Sequence, residues 1–126
     1  MAKERTPRTR GAGTMTESGF FGFIRSGLRA KHARWKPRAM ALKAASREIP
    51  PERRVGRQRV EVCCNNCRDW FSLKEVEVDH LIPAGKLRTF DDLPGFVERL
   101  FCEEDGYQIL CKECHALVTL GERNSV

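Results

Sequence analysis

Apolar residues recur along the chain with spacings that predict most of its elements. Phe20, Phe23, Ile24 and Leu28 fall at helical intervals while Arg25, Arg29, Lys31 and Arg34 project elsewhere, predicting a helix over 19–35. Trp35 follows, and Pro37 suits the first turn of a second helix running to about Arg47, with Met40, Ala41, Ala44 and Ala45 as its packed face. Ile49-Pro50-Pro51 ends it. Residues 57–63 alternate charged and apolar positions through Val60 and Val62, the period of a strand, and Trp70-Phe71-Ser72-Leu73 supplies core groups. In the stretch Val76-Glu77-Val78-Asp79-His80-Leu81-Ile82-Pro83, Val76 and Val78 alternate with charged residues as in a half-buried strand, with Asp79 and His80 at its end and two apolar residues and a proline following. A helix is expected from Asp91 or Asp92 through Phe101, buried along Phe96, Val97, Leu100 and Phe101, with Pro94 in its first turn. Residues 107–110 form a short strand candidate, and 111–120 a final helix stopped by Gly121.

At 126 residues the chain has room for one domain with extensions or two very small units. Its net charge of +6 hides an asymmetry. Through Arg59 there are 16 lysines and arginines against 4 acidic residues; from Val60 onward the balance is 7 against 13. The first half is therefore built to meet a polyanion. Residues 1–18 read as a disordered basic arm, 19–57 as a basic helical extension and linker, 58–121 as the compact domain and 122–126 as a tail. Within the basic half, Arg25, Arg29, Lys31, Arg34, Lys36 and Arg38 are the expected phosphate contacts. The aromatic stripe reads as core rather than a base-stacking platform, and His32 as a surface or capping histidine. No apolar run approaches the roughly 20 residues that span a bilayer. Without a signal peptide ahead of the cysteines, a reduced cytoplasmic protein without membrane contact is expected, and a monomer.

Six cysteines change that picture further. Cys64 and Cys67 form one Cys-x-x-Cys pair, Cys111 and Cys114 another, and four thiolates complete a closed tetrahedral zinc site. Cys63 offers an alternative ligand in a longer register, and Cys102 is unassigned. A redox dithiol is the competing reading, but neither pair sits in a thioredoxin-like βαβ pattern. A domain of this size with few large apolar groups needs such a staple, and structural zinc contributes on the order of 10 kcal/mol.

Asp79, His80 and His115 form the second constellation. Neighbours on a strand point to opposite faces, so Asp79 and His80 have different tasks. A carboxylate with an imidazole suits a metal with open positions, and a neutral imidazole with a pKa near 6.5 accepts a proton at about pH 7. With Gln108-Ile109-Leu110-Cys111-Lys112-Glu113-Cys114-His115 downstream of the Asp79-His80 strand, the chain resembles the HNH endonucleases, above all the small zinc-containing proteins of tailed bacteriophages. Phe23-Ile24-Arg25-Ser26, Arg34-Trp35 and the stretch from Asp92 to Phe101 are similar to that group as well.

The resemblance implies an α+β fold: a small ββα-metal (HNH) nuclease core stapled by a four-cysteine zinc site, with an N-terminal basic helical extension. It implies a hydrolase cutting double-stranded DNA, by nicks or double-strand breaks, and a role beside the phage terminase in packaging, in the host cytoplasm. It assigns His80 as general base and Asp79 with His115 as ligands of one divalent ion, Mg2+, Mn2+, Ni2+ or Zn2+. One position departs from the family: its middle asparagine lies nine residues before the last histidine, where this chain has Gly106. Asp105 and Gln108 are the neighbouring side chains able to take over. That departure keeps a second function class open, a non-catalytic zinc-ribbon protein that binds nucleic acid or serves as an adaptor.

Overall fold

The computed structural model describes the backbone of residues 5–124 and side chains as far as Gly121; the first residues of the expected arm (1–4) and the last of the expected tail (125–126) lie outside the described residues. Contacts divide the chain into two units, 1–34 with 83–101 and 35–82 with 102–126. The division falls between Arg34 and Trp35, and residues 83–101 of the first unit interrupt the second in sequence.

In the first unit, α1 runs Glu17–His32. It begins two residues before the expected start because Thr16 caps it, its hydroxyl accepting from the Gly19 N–H at 3.0 Å. Glu17 lies in the first turn and Arg29, Lys31 and His32 in the last, each sign matching the helix dipole. The buried stripe is turned relative to the sequence reading: Phe21 is 3% exposed and Phe23 61%. Phe21, Ile24 and Leu28 stand at i, i+3 and i+7, and with Phe20 they meet Phe96 and Leu100 of α3 (Leu93–Leu100), Leu87 and Ala84. His32 is not a surface residue; it is buried, its ring edge-on to Phe101 at 5.9 Å.

A 3₁₀ turn at Phe90–Asp92 precedes α3. Asp92 accepts from the backbone N–H groups of Arg88 and Thr89 at 2.9 and 3.1 Å, and these bonds, Arg88 foremost, hold its carboxyl below the usual range. Arg99 reaches back to the Ala84 carbonyl at 2.8 Å, and its guanidinium passes close over Gly95.

Part of the arm expected to be disordered is ordered. Arg10 and Met15 form a bridge around a tight turn in which Gly11, Ala12 and Gly13 take positive φ. Arg10 is held by Glu17 at 2.9 Å and lies over the rings of Phe20 and Phe90 at 4.9 and 5.3 Å. Anchoring to α1 supplies the contacts that the composition alone lacks.

The second unit opens with α2, Lys36–Ala44. The expected helix to Arg47 stops short because Ser46–Glu48 is a strand, β1. It pairs antiparallel with β2 (Val60–Cys63) in the register Ser46↔Val62 and Glu48↔Val60, and β2 pairs with β3 (Trp70–Phe71). Long-range pairing overrides the local helical signal here. On α2, Ala41, Leu42 and Ala45 are half-buried, while Met40 and Ala44, expected in the packed face, are exposed. Val62 is fully buried on one face of this sheet. The other face carries Arg47, bonded to Glu61 at 2.6 Å and stacked 3.6 Å over the Trp70 ring. Trp70 and Leu73 are accordingly surface residues, at 38% and 48% exposed, rather than core.

The other sheet is a two-stranded antiparallel ribbon of β4 (Val76–His80) and β5 (Tyr107–Cys111), paired from Val76↔Cys111 to His80↔Tyr107. With no intervening loop, α4 (Lys112–Asn124) turns back over both strands. Gly121 does not stop it, because it does not adopt the left-handed conformation such a cap uses. The resulting order is mixed α+β, strand, inserted helical segment, strand, helix.

Candidate functional site

Each Cys-x-x-Cys pair is set by a local device. Cys64 and Cys67 close a turn after β2, and that turn is strapped to β5: Asn65 donates its N–H to the Ile109 carbonyl at 2.7 Å, and the Ile109 N–H returns to Asn65 Oδ1 at 3.3 Å. Cys111 ends β5 and Cys114 lies in the first turn of α4. All four Sγ atoms fall within 4.8 Å of one another. A tetrahedron with metal–sulfur bonds of about 2.3 Å has edges of roughly 3.8 Å, so a small contraction closes the cage. The four cysteines can hold a metal ion, and an all-sulfur donor set fits a soft structural ion.

The cage sulfurs already accept hydrogen bonds from neighbouring N–H groups. Asn66 Nδ2 donates to Cys114 Sγ and the Cys114 N–H to Cys111 Sγ, both at 3.4 Å. At Cys64 burial opposes ionisation, but hydrogen bonds from the backbone of Cys111, Cys67 and Asn66 together bring its thiol down to about 6. At Cys67 a backbone bond from Asp69 pulls downward, yet burial and the three neighbouring sulfurs push it up to about 12. Four sulfurs this close cannot all ionise without a cation among them, and the cage is shaped to receive one. Cys63 faces away, its thiol donating to the carbonyls of Cys64 and Arg68 at 3.6 Å, so the ligand register is Cys64, not Cys63.

The fold brings Asp79 and His115 together. His115 directly follows Cys114, and α4 carries its Nε2 to 4.0 Å from Asp79 Oδ1. Both side chains remain partly open to solvent, His115 at 35% and Asp79 at 22% exposed. Gln108, the cross-strand neighbour of Asp79, donates to its other oxygen at 3.3 Å. Of the two side chains expected to compensate for Gly106, Gln108 is thus the one that reaches the site, while Asp105 is exposed in a turn. Among the described residues, only the four cysteines form a cluster of three or more metal-ligating groups; Asp79 and His115 stand as a pair.

His80 ends β4 on the opposite face from Asp79, its ring 5.0 Å from that of Tyr107 and tilted by 50°. The next residue is fixed too, for the Leu81 N–H donates to the Gly106 carbonyl at 2.9 Å. Gly106 has a steric reason as well: a Cβ there would stand 2.5 Å from Cys102 Sγ. Gly106→Asn is therefore expected to cost about 1–3 kcal/mol by overpacking. Thermal unfolding of the single variant against Gly106→Asn/Cys102→Ala checks this, the second change recovering part of the loss.

The six expected phosphate contacts do not share one unit. Arg25, Arg29, Lys31 and Arg34 belong to the first, with Arg29 5.8 Å over the Phe96 ring, and Lys36 and Arg38 to the second. Lys31, Arg34 and Lys36 are exposed, Arg25 and Arg38 half-buried. The sequence places Tyr107 in a strand but not beside His80; that pairing depends on a register that periodicity does not give. Among the described residues no helix is long and apolar enough to cross a membrane. Comparison with protein-family models, curated proteins and solved structures returns no match.

Proposed function

We propose that this chain is a metal-dependent, HNH-type endonuclease that hydrolyses phosphodiester bonds of double-stranded DNA and carries a structural zinc ion in its four-cysteine cage. The observation that carries the reading is the approach of His115 to Asp79, a carboxylate and an imidazole 4.0 Å apart, half-open to solvent, one residue along the chain from a second imidazole. Order of elements supports it: an antiparallel ribbon followed by a helix, with the candidate base at the end of the first strand.

Asp79 and His115 would hold one divalent ion, which when bound supplies positive charge to offset what builds on the phosphate and the departing oxygen. His80 takes a proton from water as the water oxygen attacks phosphorus and the bond to the departing sugar oxygen breaks; that oxygen is protonated from solvent. Gln108 steadies the carboxylate of Asp79. Sixteen basic residues in the first 59 positions supply the sequence-independent attraction to a duplex.

The rival, a zinc-ribbon protein that binds nucleic acid without cutting it, draws on Gly106 in place of the family amide. Supercoiled plasmid incubated with the zinc-loaded protein and Mg2+, Mn2+ or Ni2+ separates the two. Nicked or linear product that requires the added ion is expected. Intact plasmid with every ion, alongside DNA binding that weakens steeply with salt, would leave the rival.

A further inference from the structure

We propose that Tyr107, backed by Cys102, is the residue that fixes the orientation of the His80 imidazole. The inference rests on the nuclease reading for its kinetic consequence, but the ring contact itself can be measured without it. His80 and Tyr107 are directly opposed at the end of the ribbon, the position at which one residue of slip would separate them. Their rings meet at 5.0 Å and 50°, and Tyr107 is only 6% exposed, so it offers a fixed wall rather than a mobile cover.

The wall is itself braced. Burial first, and then a hydrogen bond with the Cys102 thiol, push the Tyr107 hydroxyl well above its ordinary range, so the ring stays neutral. Cys102 cannot drift: its carbonyl accepts from Trp35 Nε1 at 2.7 Å, and its sulfur occupies the space a side chain at 106 would need. From the other side, the Gly106 carbonyl holds the N–H of Leu81, the residue after His80. Backbone and ring of His80 are thus constrained by one braced turn, 102–107. A tyrosine face at that place limits rotation of the imidazole, and a base held in one orientation needs no reordering before it takes a proton.

The test compares wild type, Tyr107→Phe, Tyr107→Leu and Cys102→Ala in the full zinc-loaded chain. The chain has three histidines, so the His80 ring protons are assigned in an NMR spectrum by their loss in His80→Ala. Ring-current displacement of those protons is expected in wild type and Tyr107→Phe, and its loss in Tyr107→Leu. Single-turnover cutting should stay within about threefold for Tyr107→Phe and fall about tenfold or more for Tyr107→Leu at unchanged DNA affinity, the mark of lost positioning. Should Tyr107→Leu fail to fold, Cys102→Ala decides, with a smaller displacement and slower cutting expected. An undisplaced His80 in wild type, or rates and shifts unaltered in Tyr107→Leu or, where that variant does not fold, in Cys102→Ala, would overturn the proposal. If wild type leaves DNA intact with every added ion the nuclease reading falls, and the NMR comparison alone decides the role of Tyr107.

Discussion

Cys111→Ser is expected to unfold residues 35–82 and 102–124 rather than merely to loosen them. Cys111 is 4% exposed, joins β5 to α4, and is both a cage sulfur and a core residue. The buried cluster around it consists of Cys64, Leu110, Cys111 and Cys114, with Phe71 and Val118 packed alongside, so three of its four buried members are cage cysteines. An ion in the cage contributes on the order of 10 kcal/mol, as much as the whole stability of a typical small domain. Losing one ligand removes much of that and leaves three crowded sulfurs behind. Circular dichroism and metal analysis should show zinc lost and the cooperative melt abolished, with EDTA or a stronger chelator having the same effect on wild type. Cys63→Ser is the matched control: its sulfur faces backbone carbonyls, and a change within about 0.5 kcal/mol is expected. A Cys111→Ser protein that still melts cooperatively near the wild-type temperature would rule out the cage as the staple of this unit.

The second large effect belongs to His115. His115→Ala removes one of two groups expected to hold the catalytic ion while leaving the cage, the ribbon and the buried cluster intact, because the side chain is 35% exposed. Zinc content and melting temperature should stay near wild type. Titration with Mn2+ should lose its weaker binding event, and cutting should fall about a hundredfold or more, since charge stabilisation by a bound ion supplies several kcal/mol. Asp79→Asn should behave in the same way, with the difference that Gln108 also loses its charged acceptor. Loss of zinc in His115→Ala would mean that the histidine serves the cage and not a separate site.

The elements that were legible in the sequence are those whose pattern answers to local physics. The alternation through Val76 and Val78, the aspartates ahead of Pro94 and the two Cys-x-x-Cys pairs predict β4, α3 and the cage, and each stands where it was expected. The elements that were not legible depend on partners distant in sequence. Ser46–Glu48 forms a strand because β2 lies beside it, and Trp70 lies on the solvent face of that sheet, where Arg47 of β1 stacks over it. Phe21 displaces Phe23 as the anchor of α1 because Leu87 and α3 meet that side of the helix. His32 enters a core since Phe101 faces it. At the candidate site, the types and spacing of Asp79, His80 and His115 were readable, whereas the braces (Gln108 on Asp79, Tyr107 on His80, Gly106 on Leu81) follow from the β4–β5 register. Gly106 likewise acquires a physical reason only when Cys102 is seen to fill the space beside it.

The most direct measurement is conversion of supercoiled plasmid by zinc-loaded wild type and His80→Ala, side by side, with and without Mn2+. Ion-dependent cutting by wild type is predicted, with a rate lower by about a hundredfold or more in His80→Ala and with zinc content, melting temperature and DNA affinity unchanged. Equal cutting by the two proteins, or none by either with any divalent ion, would contradict His80 as the base of a metal-dependent nuclease.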